Sequence, residues 1–127
     1  MITLTISLTF IALAYWIIYL IKRSTPKTNN RYQTLFQSSP SILIEVDEKW
    51  TIIAWNSNAQ STFGWTESEA IGQPIIDLLV PLKDQAHVRD SLLKALKKGK
   101  SDSKNYNLTK GKKEIFCEWH NSRVNYE

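Results

Sequence analysis

The first 21 residues carry no charge. Met1 to Ile21 are mostly aliphatic and aromatic, broken by hydroxyls at Thr3, Thr5, Ser7 and Thr9, and Lys22-Arg23 stop the run. As a helix rising ~1.5 Å per residue the segment would reach ~32 Å, against a bilayer core of ~30 Å. Tyr15, Trp16 and Tyr19 gather beside the cations as an interfacial belt would. Basic residues follow the run and none precede it, which predicts that its C-terminal side lies in the cytoplasm. A cleaved signal peptide is the competing reading, since Ala12-Leu13-Ala14 offers a small-residue cut site. It lacks a basic residue in front, and the apolar run continues well past the cut. We therefore expect a single-pass transmembrane helix over 1–21 in the inner, cytoplasmic membrane. A cytoplasmic linker over 22–30 follows, broken by Pro26.

Beyond the linker the patterning changes character. Tyr32, Leu35 and Phe36 stand at helical spacing from Arg31 to Gln37, before Ser38-Ser39-Pro40. Ile42, Ile44 and Val46 alternate with Leu43 and Glu45, Asp47 to Trp50 read as a turn, and Thr51 to Trp55 resume a β-rich run. Residues 41–56 thus predict a hairpin. Asn56 is placed to end it and accept donors from the next turn. Ser57 to Phe63 predict a short helix stopped by Gly64. Thr66-x-x-Glu69 is a capping-box pattern, and Pro74 to Val80 is a compact apolar stretch before Pro81. From Asp84 to Lys98, Val88, Leu92, Leu93 and Leu96 predict one apolar helix face, with Gly99 as its stop. Tyr106 and Leu108 then alternate into a strand. Lys110 to Lys113 make a turn, and Ile115, Cys117 and Trp119 alternate with Phe116, Glu118 and His120 in the next strand. Two strands, several short helices and at least two more strands predict an α+β fold, an antiparallel sheet with helices over one face.

Charge and chemistry narrow the reading further. The formal net charge is +4, and Lys22, Arg23 and Lys27 supply most of it. Eight lysines between Lys94 and Lys113 face only Asp102 in that stretch; they carry no recognisable nucleic-acid motif, and a solvated helix end and hairpin is the reading taken. Cys117 is the only cysteine, so no internal disulfide forms, and a lone cysteine is usually a small packed residue. His87 and His120 stand apart without the partners a metal site needs. No glycine-rich phosphate loop and no Ser/His/Asp arrangement occurs. Nothing in residues 1–127 predicts an enzyme.

Ordered along 31–126, the motifs Leu35-Phe36, Ser39-Pro40, Val46-Asp47, Trp55-Asn56, Phe63-Gly64-Trp65, Glu69 with Ile71-Gly72, Val80-Pro81 and Phe116 to Asn121 resemble a PAS domain. The Cys-Glu-Trp-x-Asn strand looks most like the PAS modules of bacterial diguanylate cyclases and histidine kinases. The resemblance implies a domain over 31–127 with about five strands, and the chain stops at Glu127 before the last strand the family has. This leaves open a fragment of a longer sensor or a truncated gene product. Trp50 sits where the family's first hairpin usually has Gly, and Gly111-Lys112 replace the usual Asp-Gly of the later one. The resemblance places Trp55, Asn56, Phe63, Cys117 and Trp119 near any ligand pocket; each is equally a core residue in its own right. The cofactor stays unassigned. Flavin–cysteine photochemistry lacks its cysteine in the central helices, and a haem ligand would fall at Val88, one place from His87. The implied function is a membrane-anchored cytoplasmic sensory input. It would pass a small-ligand, redox or partner signal to an effector of the histidine kinase or diguanylate cyclase type, as in two-component signalling. The alternative is a ligand-free module that pairs subunits as a homodimer through the Arg31–Gln37 helix.

Overall fold

The computed structural model describes residues 11–21 and 27–125, and the chain divides into two compact units, Met1–Phe36 and Gln37–Glu127. In the first unit, residues 11–21 are helical (α1), with every side chain exposed. Of the expected membrane span, residues 1–10 lie outside the described residues, as does most of the 22–30 linker. Among the described residues no helix is long and apolar enough to cross a membrane. Helix α2, Lys27–Ser38, extends beyond the expected 31–37. The rings of Tyr32 and Phe36, one turn apart, stack at 5.7 Å.

The second unit contains strands β1 (Ile44–Val46) and β2 (Ile52–Trp55), helices α3 (Ser57–Phe63), α4 (Glu67–Ala70), α5 (Ile75–Leu79) and α6 (Leu82–Lys98), and strands β3 (Lys100–Leu108) and β4 (Glu114–Ser122). The local signals explain most of this order. Asn56 caps α3 through a hydrogen bond from the Ala59 N–H, and Gly64 ends it in the left-handed region at φ 82°. A Cβ on Gly64 would meet Lys110 Cβ at 3.4 Å, so the position needs both the freedom and the absent side chain. Thr66 and Glu69 form the expected capping box.

The sheet departs from expectation. Instead of about five strands in one sheet, the described residues hold four, as two antiparallel pairs, β1 with β2 and β3 with β4. A two-stranded hairpin is marginal alone, and here each leans on helices. The far side of β2 is partly closed by the chain before α5: Ile52 N–H donates to Gln73 O, Gly72 N–H to Ile52 O and Ile75 N–H to Trp50 O, all at 2.9 to 3.0 Å. The core gathers Ile52, Trp55, Ala59, Phe63, Ala70, Ile76, Leu79 and Val80.

Helix α6 is rotated from its expected setting. Ser91 and Ala95 are buried, while Leu93 and Leu96, predicted to face inward, are exposed. The small side chains let the helix approach β3 closely: Ser91 Oγ and Ser101 Oγ are 3.0 Å apart. Leucine at those positions would hold the helix off.

Both hairpin substitutions sit where the backbone is strained. Trp50 has φ 64° and Lys112 φ 65°, a region costing a non-glycine residue ~1–2 kcal/mol. Trp50 also packs against the core, which offsets its strain. Lys112 is exposed and nothing compensates it. Lys112→Gly should therefore stabilise the protein by ~1 kcal/mol, a rise of ~4–8 °C in melting temperature for a domain of this size. An unchanged melt by circular dichroism would show that the turn is not strained.

Candidate functional site

The alternation of β3 places Ser101, Ser103, Asn105 and Asn107 on the inner face, with Ser103, Asn105 and Asn107 buried; Tyr106 and Phe116 lie outside, their rings edge-on at 5.2 Å. Register with β4 sets Ser101 opposite Asn121, Ser103 opposite Trp119, Asn105 opposite Cys117 and Asn107 opposite Ile115. A core-facing strand that is polar along its length requires hydrogen bonds for every buried group.

Those bonds form a ladder. Asn105 Nδ2 donates to Asn107 Oδ1 at 3.2 Å. Trp119 Nε1–H donates to the same oxygen at 2.9 Å. Asn107 Nδ2 donates to the Leu79 carbonyl at the end of α5 at 3.3 Å. One turn of the sheet away, Ser101 Oγ donates to the Ser91 carbonyl of α6 at 2.6 Å, and Asn121 Nδ2 reaches both serine hydroxyls at 3.4 Å. The ladder thus ties β3 and β4 to α5 and α6.

Between these amides and an apolar wall of Ile75, Leu79, Val80, Val88 and Leu92 lies a cavity of about 40 Å³. A water occupies ~30 Å³ in the liquid, and a cavity with polar partners will hold one. Drug-sized ligands take ~300–1,000 Å³, so a haem or flavin would have to displace the lining. The arrangement suits water or a small neutral hydrogen-bonding group, with amides on one side and aliphatic carbons on the other. A wider depression along Gln60, Thr66, Glu67, Ser68 and Ile71 is open to solvent and built from helix-capping groups; the Gln60 side chain, for one, accepts from Glu67 N–H at 3.2 Å.

Of the five residues expected at a pocket, only Trp119 lines this cavity. Trp55, Phe63 and Trp119 form an aromatic row behind it, with centroids 5.9 Å apart for Trp55–Phe63 and 6.3 Å for Phe63–Trp119. Trp55 Nε1–H is spent on the Trp65 carbonyl at 3.0 Å. Asn56, wholly buried, is a clamp. Its Oδ1 accepts from Leu43 N–H at 3.1 Å and Ala59 N–H at 3.0 Å, and its Nδ2 donates to Ser41 O at 2.8 Å. Cys117 faces the core on β4. Asn105 and Asn107 are what the sequence reading missed; the available signal was the polar parity of β3, Ser101-x-Ser103-x-Asn105-x-Asn107, overshadowed by Tyr106 and Leu108.

Titration bears on one group nearby. Burial pushes the Cys117 thiol above its ordinary value, so it is protonated at neutral pH and a poor nucleophile. Alkylation by iodoacetamide should be slow at pH 7 and rise at higher pH than for a free cysteine; a profile matching free cysteine would show Cys117 to be accessible. His87 is exposed on α6. Among the described residues no cluster of His, Cys, Asp or Glu could hold a metal ion.

Comparison with known proteins follows the same architecture. No curated protein sequence matches this chain. A PAS domain from Colwellia psychrerythraea superposes with a TM-score of 0.71 at 24% identity, covering 80% of this chain and 86% of that one. The PAS domain of an HTR-like protein from Haloarcula marismortui gives 0.65 at 20% identity, over 86% and 89%. An RNA-binding light-oxygen-voltage receptor gives 0.64 at 13% identity, over 81% of this chain and 31% of that one. These likenesses are of fold. The family model of the PAS fold matches residues 30–125, and the chain belongs to the PAS family.

Proposed function

We infer that the chain is a membrane-tethered sensory input whose signal is the occupancy of the cavity between β3–β4 and α5–α6. The observation that carries the reading is the buried polar ladder. A core-facing row of Ser103, Asn105 and Asn107 is an expensive way to pack a sheet, and it bonds directly to the backbone of Leu79. A small hydrogen-bonding ligand, or a change in hydration, would compete for Asn107 and alter its hold on α5. Two packings of helix and sheet are then biased by whichever occupant binds one of them better. The tether reading is supported by the uncharged residues 1–21 and the Lys22-Arg23 stop; with the cations on its C-terminal side, the domain would lie in the cytoplasm. The effector, of histidine kinase or cyclase type, would receive the shift through the chain or a partner.

The test is native mass spectrometry of the full chain purified in detergent, with the 15N–1H signal of the Trp119 indole as second readout. A small molecule on the 14.7 kDa chain, lost in Asn107→Leu, supports sensing. Bare chain throughout, with an indole signal that cell extract does not move, overturns it. The pairing alternative rests on α2, where Leu35 is exposed beside Tyr32. It predicts a ligand-free dimer that Tyr32→Asp or Phe36→Asp breaks.

A further inference from the structure

Helix α6 has a second apolar face that the core does not use. At ~100° per residue, Leu82, Ala86, Leu93 and Leu96 share one side of the helix, opposite the buried Ser91 and Ala95. All four are exposed, Leu82 at 87%, Leu93 at 47% and Leu96 at 41%. Arg89 and Lys97 lie on the same side, also exposed. Toward the C-terminal end of α6 come Lys98 and Lys100, and Arg123, whose Nη1–H donates to the Leu96 carbonyl at 2.8 Å. The acidic neighbour on the helix, Asp90, is paired with Lys94 at 3.0 Å. The face is therefore leucines fringed by Arg89, Lys97 and Arg123, none of which has an ion-pair partner among the described residues.

We propose that this face of α6 rests on an anionic lipid surface, leucines at the boundary of the acyl chains and Arg89, Lys97 and Arg123 among the headgroups. Interfacial helices bind through this combination of apolar stripe and basic fringe, and anionic headgroups draw in nearby lysines and arginines. Two other occupants fit worse. A second copy packed antiparallel about the middle of the stripe would set Arg89 against Arg89, a like-charge contact that works against pairing. A nucleic acid would use the cations but leave the leucines wet, and the stripe offers no aromatic ring for a base to stack on. The inference goes beyond the tethered-sensor reading and takes from it only the closeness of a bilayer. It adds a consequence: lipid charge would bear on the outer side of the helix whose inner side carries Ser91 and lines the cavity with Val88 and Leu92.

The experiment uses the full chain mixed with vesicles of phosphatidylcholine alone, or with about one lipid in three replaced by phosphatidylglycerol. Flotation reports membrane association, and lysine acylation read by mass spectrometry reports protection site by site. On the anionic vesicles Lys97 should label roughly threefold or more slowly than on neutral ones, while Lys49 and Lys112 label equally on both. The protection should vanish in about 0.5 M NaCl, where screening acts within ~3–4 Å, and in Leu93→Gln/Leu96→Gln, whose circular dichroism verifies folding. Flotation on neutral vesicles tests the tether separately. A chain that floats only on anionic vesicles, with Lys97 protected, overturns the tether and supports the face. One that floats on both and labels equally on both overturns the face and leaves the tether standing. Flotation on neither overturns both. Equal protection by transfer RNA without lipid would also overturn the lipid assignment, in favour of a general polyanion site.

Discussion

Asn56→Ala should lower the free energy of unfolding by ~4 kcal/mol. The side chain is wholly buried and is a hydrogen-bond partner of the Leu43 N–H, the Ala59 N–H and the Ser41 carbonyl. Each buried group left unpaired costs ~1–3 kcal/mol, and loss of a helix cap alone costs ~0.5–2 kcal/mol. Against a total stability of ~5–15 kcal/mol, the loss is a large fraction of what holds the domain together. Ser57→Ala is the control. Its exposed hydroxyl donates to Gln37 Oε1 at 3.0 Å, and removing it should stay within ~0.5 kcal/mol. Urea denaturation of the full chain in mild detergent separates the two. Equal midpoints for Asn56→Ala and the native chain would mean that Asn56 is no clamp and is free to meet a ligand.

The second large effect concerns Asn107, and its test is an order of stabilities. Removing this amide strands the Trp119 N–H, leaves the Asn105 Nδ2 with only its bond to the Tyr106 carbonyl, and takes the side-chain donor from the Leu79 carbonyl. Asn107→Ala enlarges the 40 Å³ cavity enough for a further water to bridge them, and should cost ~2 kcal/mol. Asn107→Leu fills the space with carbon and shuts water out, and should cost ~3 kcal/mol or more despite its greater apolar surface. For an apolar core the order would be the reverse, since cavities there are the dominant penalty. Finding leucine the more stable of the two would show that the ladder contributes packing alone. Slower exchange of the Trp119 indole proton in the native chain than in either variant would place the bond where the argument needs it.

Much of the domain was readable one element at a time. Helix α3 spans the predicted Ser57–Phe63, and Gly64 and the Thr66–Glu69 capping box stand where the sequence put them. Such signals are local: a cap and a left-handed stop act on backbone groups three or four residues away. The strain at Trp50 matches the glycine missing from that turn, whereas in the later turn the positive φ falls on Lys112 and not on the neighbouring Gly111. The pocket was less legible. Four of the five residues expected there surround or support the cavity without lining it, and the lining amides were passed over. On β3 both parities are plausible, Tyr106 and Leu108 on one face and Ser103, Asn105 and Asn107 on the other. Hydrophobicity favours the first, and the structure buries the second.

What the amino-acid sequence determined by itself is therefore the order of elements, the caps and stops around α3 and α4, the position of the turns and the apolar run before the domain, because each depends on neighbours along the chain. What only the tertiary structure decided is which faces meet. The rotation of α6 depends on small Ser91 and Ala95 lying where a close approach to β3 is possible. The burial of asparagines depends on Leu79 O and Trp119 Nε1 arriving from distant positions to satisfy them. A polar side chain can be buried only when its partners are in place, and those partners belong to other elements. That is why the cavity, and the leucines left outside on α6, could be located only once the chain had folded.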